Sequence, residues 1–151
     1  MSTAKKVNGS GFGSMFSGYR VLAVALLVTV LPQIAVSASA EINYLLHCSG
    51  CHLPEGQGNP PNVPTLQQEL GRMMGVAEMR TYLVRVPGSA YSSLSDDELT
   101  AVANWILQEF NAETLPADFE PLSTLEVTRA RKDSLPDPLK YRIEHWRDYA
   151  Q

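Results

Sequence analysis

Residues 48–52 read Cys48-Ser49-Gly50-Cys51-His52, and the chain of 151 residues has no cysteines besides these two. Two thiols separated by two residues and followed at once by a histidine form C-x-x-C-H, the attachment signal for a c-type haem. Each thiol adds across one vinyl group of the porphyrin, and the spacing lets a single turn of chain set both sulfurs along one haem edge. His52 is then carried under the ring, where its imidazole can bind the iron axially.

Other uses of the two cysteines fit less well. A disulfide is the default in an oxidising compartment, but it leaves His52 unexplained. A thioredoxin-like motif needs a preceding strand, a following helix and a βαβ setting, and the chain beyond residue 40 has no run of β-branched alternation. A zinc site needs four ligands, and the other histidines, His47 and His145, supply no second pair at metal-ligand spacing. The expected cofactor is one covalently bound haem c, held by Cys48 and Cys51 with His52 as proximal ligand.

Upstream, residues 1–40 carry no Asp or Glu, and their only charges are Lys5, Lys6 and Arg20. An apolar run from Val21 to Leu31 follows, and then small residues ending Ala38-Ser39-Ala40. Basic start, apolar middle and A-x-A end are the layout of a secretory signal, predicting cleavage after Ala40. Pro32 breaks the apolar run well short of the roughly 20 residues a membrane span requires. The expected mature chain is therefore periplasmic, has no stable membrane span, and begins at residue 41.

The whole chain has 12 Lys+Arg against 16 Asp+Glu, a net −4; without the three basic residues of the signal the count is 9 against 16, or −7. An acidic surface repels nucleic acid and favours a partner with a basic docking patch. With 44% hydrophobic and 19% charged residues the composition excludes disorder and polytopic membrane architecture. No G-x-G-x-x-G, nucleophile elbow or second His, Cys or carboxylate cluster points to an enzyme.

Around the motif the periodicity is helical. A short apolar helix with Ile42, Leu45 and Leu46 leads into it. Leu53 to Pro64 is a loop, because Pro60, Pro61 and Pro64 exclude regular helix. Short helices are predicted over about residues 65–70 and 77–86, the second with Met79, Leu83 and Val86 as its inner face and Pro87-Gly88 as its end. The best-specified helix follows Leu94-Ser95-Asp96-Asp97-Glu98-Leu99, where Ser95 and Glu98 form a capping box and the two aspartates complement the dipole. Its apolar stripe is Leu99, Val102, Ala103, Ile106, Leu107 and Phe110. Trp105 lies off the centre of the stripe and is expected near the haem edge.

From Ile42 to Phe110, the haem motif, the short helix before it and the helix from Ser95 to Phe110 together resemble the small monohaem c-type cytochromes of class I. The resemblance implies an all-α fold of four or five short helices around one haem, with the first and last helices crossing. It also implies that a proline carbonyl, from Pro64 or Pro61, accepts a hydrogen bond from the ligand imidazole. Members of the class usually supply a methionine as sixth ligand from the loop before the last helix. Here that loop, residues 87–94, has none. Met73, Met74 and Met79 are the nearest candidates, His145 is a further one, and an open or water-bound position is the remaining alternative.

After Phe110 the composition shifts, with Pro116, Pro121, Pro136 and Pro138 among scattered charges. The expected organisation is a signal over 1–40, a cytochrome domain over 41–110 and an extension over 111–151 with two short helices. The first opens on a Ser123–Glu126 capping box; the second follows Pro138, with Leu139, Ile143 and Trp146 on one face. This tail either lies back on the core or docks a partner. The expected function is transfer of single electrons between a dehydrogenase and a downstream acceptor, without enzymatic activity. The alternative is a five-coordinate haem protein with peroxidase-like or small-ligand-sensing activity.

Overall fold

A computed structural model describes residues 38–146, together with Met1 and Thr3. The chain divides into units of Met1–Val36 and Ser37–Gln151; the predicted signal lies almost wholly outside the described residues, and the second unit is described here. Its elements are helical, apart from one isolated bridge between Asn59 and Val63 in the loop after the motif. No described helix is long and apolar enough to cross a membrane.

Helix α1 spans Ala40–His47, with the Ser39 hydroxyl capping the Ile42 N–H. Cys48 leaves helical geometry at φ −122°, and a single turn, α2, covers Ser49–His52 before Leu53 stops it at φ 64°. The longest element is α6, Asp96–Asn111, opened by the Ser95–Glu98 capping box as predicted. Its stripe of Leu99, Val102, Ala103, Ile106 and Leu107 is buried.

Helix α1 packs on α6 through Tyr44 and not through its aliphatic residues. Tyr44 is fully buried, its ring 5.1 Å from that of Trp105 and 5.4 Å from that of Phe110, whereas Leu46 is 71% exposed and Ile42 and Leu45 are about half so. A two-turn helix has room for one large knob, and an aromatic ring fills the crossing better than three scattered aliphatics. Trp105 belongs to this aromatic cluster and does not line the cavity described below.

Between these helices the elements are shorter than periodicity suggested. The helix expected over 65–70 lies instead at Glu69–Met73 (α3). Thr65 Oγ1 accepts from the Gln67 N–H at 3.0 Å and donates to the Gly56 carbonyl, a local pairing that competes with helix, and Gln68 adopts φ 60°. The stretch 77–86 is a 3₁₀ turn, Ala77–Met79, followed by α4, Tyr82–Arg85. Arg80, between them, reaches the Glu126 carboxylate at 2.8 Å and the Glu120 carbonyl at 3.2 Å, so long-range anchors override the local repeat. The helix ends just before Pro87-Gly88, as expected, with Val86 extended at ψ 142°, and Pro87 then opens a separate turn, α5, Pro87–Ala90.

Two helices follow residue 111: α7, Thr124–Ala130, with the predicted Ser123–Glu126 box, and α8, Pro138–His145. Leu122, Val127, Leu135 and Trp146 join the same buried core as Leu99 and Val102. Of the face predicted for α8, Trp146 is buried while Leu139 and Ile143 are about half exposed, and Arg142 is buried beside it at 2% exposure.

Candidate haem-binding site

Helices α1 and α2 deliver Cys48, Cys51 and His52 to the edge of a cavity of about 590 Å³, a size typical of cofactor sites. Leu66, from the loop after the motif, and Leu99, Val102, Ala103 and Ile106, from α6, give it an apolar surface. A second part of the lining comes from residues 82–94, including Leu83, Val86 and Leu94. A third comes from the tail, Pro136–Leu139 with Arg142.

His52 is oriented by its own loop. Its Nδ1 lies 3.1 Å from the Pro64 carbonyl oxygen. A carbonyl can only accept, so this bond requires the proton on Nδ1 and leaves the Nε2 lone pair available to a metal. Burial holds the imidazole pKa below its usual value, partly offset by the Pro64 bond, which favours the neutral, ligating form. The loop closes through the Gly58 N–H on the His52 carbonyl at 2.9 Å and the Leu66 N–H on the Gly56 carbonyl at 2.7 Å. Gly58 sits at φ +66°, and a Cβ there would lie 2.6 Å from the Val63 carbonyl oxygen and 2.7 Å from that of Pro64. Only glycine lets the chain pass that close to the group holding His52.

Both thiols are free, Cys48 partly buried and Cys51 exposed. Burial, and then the charge of Cys51, push the Cys48 thiol pKa up. Tyr44 closes the base of the motif, its hydroxyl donating to the Leu53 carbonyl at 2.5 Å, and burial raises its pKa to about 12. Two cysteines at the cavity rim, a half-buried imidazole whose Nδ1 is held by Pro64, and a large apolar cavity fit a haem attached at its edge. Among the described residues no three His, Cys, Asp or Glu side chains gather as a metal cluster, so nothing there favours zinc.

The structure brings Cys48, Cys51 and His52 together, and places the candidate sixth ligands elsewhere. Met73 and Met79 are fully buried and Met74 nearly so, in the core; none lines the cavity. The His145 ring packs on Tyr141 with centroids 4.2 Å apart and does not line it either.

Sequence reasoning missed the tail's part in the site. The Arg142 guanidinium bonds the Glu69 carboxylate of α3. Arg131 donates to the carbonyls of Ala90, Ser92 and Leu94 and pairs with Asp96 at 2.8 Å, fastening the 87–94 segment. Asp96 also accepts from Thr128 at 2.6 Å; these bonds, that of Thr128 first, hold its carboxyl below the usual range. Nothing local marks these arginines, because their partners lie 35–73 positions away.

Short helices around an apolar cavity, with the first described helix crossing the long one and C-x-x-C-H at the rim, make the class I cytochrome c fold. The chain is similar to a cytochrome c-552 of Thermus thermophilus, 25% identical over 124 residues that cover 70% of this chain and 84% of that protein. A second cytochrome c-552 of Thermus thermophilus is 27% identical over 106 residues, covering 58% of this chain and 81% of its own. No family model matches. The likeness, though weak, supports a c-type cytochrome, an electron carrier rather than an enzyme.

Proposed function

We propose that this chain is an exported monohaem c-type cytochrome, with haem joined to Cys48 and Cys51 and ligated by His52, that passes single electrons from a periplasmic dehydrogenase to a downstream acceptor. The observation that carries the reading is the His52–Pro64 bond beside two free thiols at the mouth of one apolar cavity. When bound, the haem supplies reversible one-electron chemistry at its iron. His52 would hold the group through Nε2, oriented by the Pro64 carbonyl, and Leu99, Val102, Ala103 and Ile106 of α6 would give it an apolar surround. The acidic balance of the chain favours docking to a partner with a basic patch.

The test is electrochemistry of the full chain expressed with its N-terminal segment and a haem-attachment system. One haem per chain and a single reversible one-electron wave are expected. Loss of all haem on purification, or turnover of peroxide with no reversible wave, would contradict the proposal. One observation favours small-ligand binding as a second property: among the described residues no methionine lines the cavity.

A further inference from the structure

Besides Cys48, Cys51 and His52, the described cavity lining contains, as possible iron ligands, His47, Tyr82 and Asp137, with no methionine or lysine. His47 is exposed and precedes Cys48 directly, so it sits at the thiol edge of the cavity. The Tyr82 hydroxyl donates to the Pro138 carbonyl at 3.3 Å and its ring stacks on Tyr141. The Asp137 carboxylate caps α8, accepting from the Lys140 N–H at 2.9 Å. Tyr82 and Asp137 are thus committed elsewhere, and His47 belongs to the edge that carries the thiols.

The segment that the class I resemblance expects to be tied down by an iron–methionine bond is tied down by the tail instead. Arg131 takes the carbonyls of Ala90, Ser92 and Leu94, Arg85 donates to the Asp133 carbonyl at 2.9 Å, and the Leu135 N–H bonds the Arg85 carbonyl at 2.9 Å. A wall held from behind does not need the metal to order it.

We propose that the iron position left by His52 is open to a small uncharged ligand of the carbon monoxide or nitric oxide type, bounded by Leu83, Val86, Leu94, Pro138 and Leu139. The inference rests on haem being bound as proposed above. The ligand is small because it takes only the room that a haem leaves in about 590 Å³. It is uncharged because these five side chains are apolar, Arg142 is paired with Glu69 and offers no surplus charge to an anion, and the Asp137 carboxylate, held by the Lys140 N–H, gives an anion no attraction.

The test uses full-chain holoprotein. The ferric form should lack the near-infrared charge-transfer band of thioether–iron coordination, and the ferrous form should bind carbon monoxide stoichiometrically on mixing. Leu139 lines the cavity but lies outside the buried core cluster, so its variants keep the core intact. Leu139→Trp should slow carbon monoxide association severalfold and Leu139→Ala should speed it. Met73→Leu, Met74→Leu and Met79→Leu should leave the ferric spectrum unchanged. A thioether band abolished by one of these leucine variants, a bis-imidazole spectrum indifferent to carbon monoxide, or equal association rates in both Leu139 variants would overturn the inference while leaving the electron carrier standing. A purified chain without haem would instead remove the reading beneath it.

Discussion

Replacing Arg131 with alanine removes the donor that three carbonyls of the 87–94 segment share. Its bonds run to Leu94 at 2.9 Å, Ser92 at 3.0 Å and Ala90 at 3.2 Å, with the Asp96 pair at 2.8 Å. The side chain is only 14% exposed, but Asp96 is 36% exposed, so the ion pair itself contributes little. Hydrogen bonds to a charged donor contribute about 1.5–3 kcal/mol each, and carbonyls near the surface regain water on truncation, so the expected loss is about 2–4 kcal/mol. At 1.4 kcal/mol per factor of ten, segment opening becomes roughly 30- to 700-fold more frequent. Urea denaturation of the holoprotein reads the global loss, and hydrogen exchange of amides 88–94 reads the local one. Arg131→Lys keeps the charge without the planar fork and should recover less than half. A loss under about 0.5 kcal/mol, the range of ordinary surface changes, or unchanged exchange in 88–94, would refute the role given to the tail.

Asn111→Leu should cost about 2–4 kcal/mol by denaturant melting, because the buried amide accepts from the Gly71 N–H at 3.0 Å and donates to the Leu66 carbonyl at 2.9 Å, both left unpaired. Gly58→Ala should cost about 1–3 kcal/mol in strain. It should also raise the reduction potential, because displacing the Pro64 carbonyl makes His52 a poorer donor to ferric iron; voltammetry checks the sign. Glu126 is held at about 2 instead of 4.5, first by its bond to Arg80. Its stabilisation is complete above pH 4.5 and is lost as pH falls toward 2; discounted for exposure it is about 1 kcal/mol. Glu126→Gln should flatten the acid limb of a stability–pH profile by that amount.

What was legible in the sequence was local. The haem motif needs five consecutive residues, and each capping box needs a serine and a glutamate three apart, so both boxes and the α6 stripe stand where periodicity placed them. Trp146 of the predicted α8 face is buried, but the burial of Tyr44 and Arg142 was not legible, because it is decided by single long-range partners: the Trp105 and Phe110 rings for Tyr44, and Glu69 for Arg142. The same holds for the three methionines. Proximity in sequence to a ligand loop made them candidates, while their burial away from the cavity depends on how α3 and the 3₁₀ turn sit in the core. Pro64, rather than Pro61, holding His52 follows from the closure of the Gly58 turn, a backbone detail that composition does not encode.

The central claim, that Cys48 and Cys51 carry one haem with His52 behind it, is tested most directly by the intact mass of the holoprotein under denaturing, acidic conditions. The predicted result is a chain heavier by one haem, with that increment absent from a Cys48→Ala, Cys51→Ala double variant. A chain whose haem is extracted by acid, leaving two thiols or a disulfide, would contradict it.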